Sequence, residues 1–240
     1  MAHAKILIVG ANGKTGSRVE QRLQSAGIET LGVSRSAETR FDWTDATTWP
    51  AALEGVTSAY LTYHPDLSIP EAEGHIRQFC ALAGKVGVEH IVLLSGRGEE
   101  GAAKAEQALR DSGIDWNVVQ PSWFAQNFSE NFMLDSVLEG TLVVPAGTAT
   151  EPFIDIDDIA DVVVATLLEP GLRNRLFELT GPRSISFAEC VQTISDAAGY
   201  PVELVELPLP DYIQALKDQQ VPAYLIDLLP NLFADLFDGR

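Results

Sequence analysis

The chain has 240 residues, 46% of them hydrophobic, with 34 acidic against 16 basic side chains and a formal net charge of −18. That balance excludes a nucleic-acid partner, because phosphate binding needs a basic face, and it equally excludes an anionic membrane surface. No apolar run approaches the ~20 residues that span a bilayer, and the N-terminus carries no signal-peptide pattern. The two cysteines, Cys80 and Cys190, sit in helical apolar stretches and read as buried free thiols, not as a disulfide or a metal pair. The expectation is a cytoplasmic protein, monomer or homodimer, with a small-molecule substrate and no metal.

The first element is the apolar strand Ile6-Leu7-Ile8-Val9, which runs into Gly10-Ala11-Asn12-Gly13-Lys14-Thr15-Gly16. A helical pattern follows, with Val19, Leu23 and Ala26 on its apolar side and Gly27 at its end. Strand, glycine-rich turn and helix in that order are the context in which spaced glycines mean a dinucleotide site. The glycines let the backbone turn tightly and approach a pyrophosphate, and the N–H groups at the helix start face its charge. The spacing is Gly-x-x-Gly-x-x-Gly. Gly10, Asn12, Gly13, Lys14, Thr15 and Gly16 are therefore assigned to the cofactor.

A second strand covers residues 29–36. Its end is where such a fold inspects the adenosine ribose, and NAD sites place Asp or Glu there. This chain has Ser34 and Arg35, which suit a 2′-phosphate and point to NADP(H). Residues 39–43 read as a third strand. Either Asp42 accepts from the adenine amino group and Trp43 packs beside the ring, or Trp43 is core and Asp42 caps the next helix. The helix 46–53 leads to a fourth strand ending in Thr62-Tyr63-His64-Pro65. By the crevice rule that end lies beside the cofactor, so Thr62 joins the cofactor set. Tyr63 and His64 are candidate proton donors and substrate contacts, or else a solvent-facing pair.

Helix 71–84 is amphipathic, with His75 read as a surface or boundary histidine. The fifth strand, His90 to Ser95, is apolar throughout, as a central parallel strand should be. Ser95 falls at its C-terminal end and is a candidate for both cofactor binding and catalysis. Helix 99–112 and a sixth strand, 115–120, complete an α/β pattern: a Rossmann-type, doubly wound parallel sheet over residues 1–120. Residues 121–240 read as a smaller substrate lobe within one domain. The lobe opens on Ser122-Trp123-Phe124-Ala125-Gln126-Asn127-Phe128, an aromatic and amide-rich stretch continuing to Met133. It is either a pocket wall or a loop that covers the sheet. Trp123, Phe124, Asn127, Phe128 and Phe153 are the substrate candidates. The acidic run Asp155-Ile156-Asp157-Asp158-Ile159-Ala160-Asp161 reads as a helix start, not a metal site. Strands at 175–181 and 202–205, a helix at 187–198 and a helical tail from 211 follow.

The set Gly10 to Gly16, Ser34-Arg35, Phe41-Asp42-Trp43, Gln120-Pro121-Ser122-Trp123-Phe124-Ala125-Gln126-Asn127-Phe128-Ser129 and Asp157 to Asp161 resembles the NmrA-like branch of the atypical short-chain dehydrogenase/reductases. It is similar in particular to the festuclavine/agroclavine dehydrogenase type. The resemblance covers essentially the whole chain. It implies a Rossmann sheet, NADP(H), and a substrate cleft between sheet and C-terminal lobe. In the family an Arg more usually precedes the Pro where this chain has Gln120.

Short-chain dehydrogenases use a Tyr-x-x-x-Lys pair, and matching Glu106 to the branch's Glu puts Gly98 and Ala102 at those positions. Lys104 lies two residues further on, about 200° around a helix of 3.6 residues per turn. A ketone reductase must protonate an alkoxide, so the loss is costly there. An imine or iminium needs only hydride at carbon, and a quinone or enone takes its proton late from water. The resemblance therefore implies a reductase of a C=N or conjugated acceptor held by the lobe aromatics, and a cationic acceptor would suit them. Two alternatives stay open: a dinucleotide-binding redox sensor without turnover, and a non-redox cyclase or isomerase on the same fold.

Overall fold

The computed structural model describes residues 5–130, 133–145, 147–218, 221, 226, 228–230 and 232–233. In chain order, β1 (Lys5–Val9), α1 (Lys14–Ser25), β2 (Glu29–Val33), α2 (Trp49–Ala52), β3 (Val56–Leu61), α3 (Pro70–Val86), β4 (His90–Leu94), α4 (Ala103–Arg110) and β5 (Asp115–Pro121) make the alternating half. They are followed by α5 (Leu134–Leu138), β6 (Thr141–Val144), β7 (Thr150–Glu151), α6 (Ile156–Leu168), β8 (Arg175–Leu179), β9 (Ile185–Ser186), α7 (Phe187–Ala198), β10 (Glu203–Glu206) and α8 (Leu209–Asp218). Local chemistry sets the helix limits. α3 opens on Pro70 with Glu71 and Glu73 in its first turn, and closes on Lys85 and a left-handed Gly87 at φ +95°. α7 opens on a capping box, in which the Ser186 hydroxyl accepts from Glu189 N–H and the Glu189 carboxylate accepts from Ser186 N–H.

The six-stranded sheet runs in the order β2-β1-β3-β4-β5-β8. Every neighbouring pair is parallel. β1 lies between β2 and β3, so the winding reverses at β1. A doubly wound sheet binds its ligand at that reversal, outside the carboxyl ends of the strands. β1, β3 and β4 are buried on both faces, which explains the apolar runs Ile6–Val9, Ala59–Leu61 and Ile91–Leu94 within them. One face carries the main core, where Phe41, Trp49, Ile76, Phe79 and Leu109 pack on Leu7, Leu61 and Leu93.

Two compact units result, Met1–Pro121 with Ile156–Leu179, and Ser122–Asp155 with Thr180–Arg240. The sequence division at residue 120 therefore misplaces α6 and β8. β8 pairs with β5 from Asn117↔Arg175 to Pro121↔Leu179 and is the sixth strand of the main sheet. α6 is held to α1 because Arg22 donates to Asp161 at 2.6 Å and to Asp157 at 2.8 Å. Those contacts give the acidic run a structural role, and among the described residues no group of His, Cys, Asp and Glu is arranged to hold a metal. The second unit joins β6 to β10 in parallel and β7 to β9 antiparallel. Its core gathers Phe128, Phe153, Phe187 and Phe233. Asn131 and Phe132 lie outside the described residues, as does most of the tail beyond α8.

The expected third strand is absent. Only a single bridge, Ser34↔Arg40, marks the segment. The alternation of Phe41 and Trp43 has another cause, since both rings insert into the core against Trp49 and Phe79. The intervening Asp42 uses its carboxylate to build a turn, accepting from Thr44 N–H at 3.0 Å and Thr44 hydroxyl at 2.8 Å.

Candidate cofactor site and strand-end cluster

At the end of β1 the backbone leaves no room for a side chain at Gly10 and Gly16, and little at Gly13. Gly10 has φ +80°, and a Cβ there would lie 2.2 Å from Thr62 Oγ1. A Cβ on Gly16 would lie 2.2 Å from the carbonyl oxygen of Gly10, and one on Gly13 would lie 3.1 Å from the same oxygen. The turn is tightened by Gly10 N–H and Ala11 N–H, which both donate to Val33 O, and by Gly13 N–H, which donates to Gly10 O at 2.8 Å. Thr62 closes the wall by donating its hydroxyl to Val9 O at 3.0 Å. α1 then begins with no side-chain cap and no acid in its first turn. The dipole of a helix start of this kind favours an external anion. This cradle, which any side chain would fill, fits a dinucleotide pyrophosphate.

Beside it, Asn12 Nδ2 donates to Ser34 Oγ at 2.9 Å and reaches Ser36 Oγ at 3.4 Å, tying the turn to the end of β2. Arg35 has no carboxylate partner among the described residues; its Nη2 lies 3.5 Å from His64 Nε2. Burial and the Arg35 charge hold His64 below the ordinary histidine value. Lys14 is half-exposed at the first position of α1.

Thr15 departs from its assignment. Its side chain is 4% exposed and its hydroxyl accepts from Tyr60 OH at 3.0 Å, so only its backbone N–H faces the turn. Trp43 also departs from the adenine reading, being 5% exposed in the core with its Nε1 donating to Thr62 O at 2.9 Å. Asp42 is held below the usual carboxylate range by Thr44 N–H and hydroxyl and by Arg40.

The hydroxyls of both catalytic candidates, Tyr63 and Ser95, are already paired within the protein. Tyr63 lies 2.6 Å from His75 Nδ1 through its hydroxyl and leans on Trp43 with ring centroids 5.1 Å apart. Burial, with Glu71 adding to it, pushes the Tyr63 phenol up to about 12. The phenol therefore keeps its proton, and its hydroxyl is paired with His75. His75 was read as a boundary histidine, and nothing in the sequence pairs it with Tyr63. Ser95 donates its hydroxyl to Glu106 Oε1 at 2.6 Å. Gln120 Nε2 donates to the same oxygen at 2.6 Å, and Arg110 Nη2 donates to Glu106 Oε2 at 2.8 Å. Glu106 is only 3% exposed. The one sequence signal for this cluster is that Glu106 shares its helix face with Ala102, Ala105 and Leu109, all buried. Gly98 and Ala102 carry no group that transfers a proton, and Lys104 is exposed.

In the second unit, Phe128 and Phe153 are 8% and 9% exposed and pack on each other and on Phe187. They are core, not pocket wall, because an aromatic cluster in this small unit supplies its main buried area. Trp123, Phe124 and Asn127 are half-exposed. Trp123 packs its ring against Phe187 and Phe233, and its backbone N–H donates to Glu151 Oε1 at 3.0 Å. Both cysteines are buried and free, and burial pushes each thiol up to about 12. Among the described residues no helix is long and apolar enough to cross a membrane.

The family model described as NAD(P)H-binding matches residues 10–170. The chain is 30% identical to the NAD(P)H azoreductase of Xenophilus azovorans over 95% of its own length and 86% of the relative's. It is 29% identical to the prestalk A differentiation protein A of Dictyostelium discoideum over 98% and 83%. It is 27% identical to the agroclavine dehydrogenase of Claviceps fusiformis over 91% and 82%. In fold it is like the NADPH-dependent quinone oxidoreductase of Escherichia coli complexed with NADPH, with a TM-score of 0.82 at 20% identity over 98% of this chain and 89% of that one. The chain belongs to the NAD(P)H-binding family.

Proposed function

We propose that this chain is an NADP(H)-dependent reductase that transfers hydride to a small organic acceptor bearing a C=N or a conjugated quinone or enone group. The observation that carries the reading is the pairing of two features on one sheet edge. The glycine cradle fits a dinucleotide, and the end of β2 beside it offers Ser34, Arg35, Ser36 and Asn12 without a carboxylate. That donor set suits a 2′-phosphate and would repel nothing on it. The pyrophosphate would lie over Gly13, which leaves room for it, against the N–H groups of Lys14, Thr15 and Gly16, with the ribose phosphate on Arg35. The nicotinamide, when bound, supplies the hydride.

The acceptor class follows from the same geometry. The Ser95 hydroxyl proton goes to Glu106, and the Tyr63 hydroxyl lies against His75. A ketone, whose alkoxide needs a proton in the transition state, is poorly served by this arrangement. A C=N or quinone acceptor fits it better. The azoreductase, clavine dehydrogenase and quinone oxidoreductase names of the relatives support that choice. Trp123, Phe124 and Asn127 are proposed to touch the acceptor.

A second reading, cofactor binding that signals without turnover, is favoured by the inward-turned hydroxyls and by the likeness to a differentiation protein. Titration with NADPH, NADP⁺ and NADH, followed by NADPH oxidation over cyclic imines, quinones and enones, separates the two. The expected result is preference for NADPH with turnover of one acceptor class. Tight binding of both redox forms with no turnover selects the sensor. Arg35→Asp is expected to cost NADPH about 10- to 100-fold in affinity and spare NADH, since hydrogen bonds to charged groups contribute about 1.5–3 kcal/mol. Unchanged selectivity would sink the 2′-phosphate assignment.

A further inference from the structure

Glu106 is a buried carboxylate at the carboxyl ends of β4 and β5, and both of its oxygens are engaged. Oε1 accepts from Ser95 and Gln120, and Oε2 accepts from Arg110. Arg110 pairs with Oε2, and both carboxylate oxygens serve here as acceptors. This fixes the direction of both neighbours. Ser95 has one hydroxyl proton and donates it inward, so its lone pairs are what remain. Gln120 is held with its amide nitrogen on Glu106, so its Oε1 points the other way, and that oxygen has no partner among the described residues. Both residues are half-exposed. The strand ends therefore show acceptors backed by a negative charge.

We propose that Glu106 is a positioning residue that turns Ser95 and Gln120 acceptor-side outward, so that this edge selects a cationic N–H donor, a protonated imine, over a quinone or an N-alkylated iminium. The inference rests on the reading of the edge as the acceptor site, and it narrows the two acceptor classes to one. A quinone oxygen needs a donor as it gains charge, and Ser95 has already given its proton away. A protonated imine brings its own donor, which meets Ser95 Oγ and Gln120 Oε1. No covalent step passes through Glu106.

The test is a binding measurement on the NADP⁺-loaded protein by calorimetry at neutral pH. Its ligands are the tetrahydroisoquinolinium ion, which has N–H donors, and its N,N-dimethyl derivative, which has the same charge and none. The wild type is expected to bind the first about tenfold or more tightly, the range of a hydrogen bond to a charged group. Glu106→Gln is expected to bring the ratio near one, because a neutral amide lets Ser95 and Gln120 reorient. Ser95→Ala, which leaves the Glu106–Arg110 pair intact, should lower the ratio without loss of fold. Equal binding of the two ions, binding of neither, or a ratio that survives both substitutions overturns the proposal. NADPH oxidation by dihydroisoquinoline is scored separately. A binding preference without oxidation fails the reductase reading and leaves the positioning role standing, and oxidation without preference does the reverse.

Discussion

The two halves of the sheet edge are built on opposite plans. At β1 and β2 the working surface is backbone: three glycines and a helix start without a side-chain cap or an acid in its first turn. At β4 and β5 it is side chain: a buried carboxylate that holds a serine, a glutamine and an arginine in fixed directions. The first half recognises a ligand common to a whole family and needs empty space, which only glycine provides. The second half is where the acceptor is proposed to sit. There, precision comes from a desolvated charge whose neighbours cannot turn without stranding it.

The backbone half should fail all at once when space is removed. Gly16→Val would place a Cβ 2.2 Å from Gly10 O and 2.8 Å from Gly10 C, and neither backbone atom can yield without opening the turn. NADPH binding is expected to fall below detection in a fluorescence titration, with about 1–3 kcal/mol of stability lost to overpacking. Gly74→Ala is the contrast. Gly74 lies in α3 with nothing within 4 Å of its added Cβ, so that change should stabilise by about 0.5–1 kcal/mol. A Gly16→Val protein that still binds NADPH would mean the cofactor does not use this turn.

The side-chain half should fail by stranding. Glu106→Ala leaves the Arg110 guanidinium and the Ser95 and Gln120 donors without their shared acceptor. Because Glu106 is buried while Arg110 is a quarter exposed, the low end of the cost for breaking a buried pair applies, about 3 kcal/mol in urea unfolding. A loss under about 1 kcal/mol would mean that water replaces the carboxylate and that the cluster is not rigid.

The same contrast decides what was legible in the sequence. The glycine turn is a requirement on residue type at fixed spacing next to a strand and a helix, so it can be read from one sequence. Ser34 and Arg35 were legible for the same reason, being placed by the end of a strand. The Glu106 cluster joins residues 11 and 14 positions apart, and only the parallel pairing of β4 with β5 brings them together. Phe41 and Trp43 misled because burial of alternate residues is the signature of a strand, whereas here two rings enter a core around an Asp turn. Phe128 and Phe153 misled because an aromatic stretch past a strand end looks alike whether it lines a pocket or fills a small core. β8 was recognised as a strand, but sequence carries no sign of which sheet receives it.

A third place on the sheet sharpens the comparison, because there a buried polar group is left short of a partner. His90, on β4 well away from the carboxyl ends, is fully buried, and Nε2 lies 2.8 Å from Asn117 Oδ1. Asn117 in turn donates to Leu172 O and Arg175 O, which sets its amide so that the histidine must donate through Nε2. Nδ1 has no hydrogen-bond partner among the described residues. Protonation would add an N–H there with no acceptor, in a site already dry. Burial therefore leads in holding His90 below its ordinary value of 6.5. Arg173 also lowers it, while Asn117 and Asp115 act the other way without reversing the sign. Between the depressed folded value and 6.5 the unfolded chain binds the proton that the folded chain refuses, so stability rises with pH across that window. The contribution is full above 6.5 and is lost as pH falls through the window towards the folded value. One proton limits the slope to about 1.4 kcal/mol per pH unit. Urea unfolding measured above 6.5 and about one unit below it should show this loss in the wild type. His90→Gln, which keeps a donor for Asn117 and cannot take up the proton, should lose less over the same interval. Equal losses in the two proteins would mean that the carboxylates alone carry the acid sensitivity and that His90 stays neutral without cost to the fold.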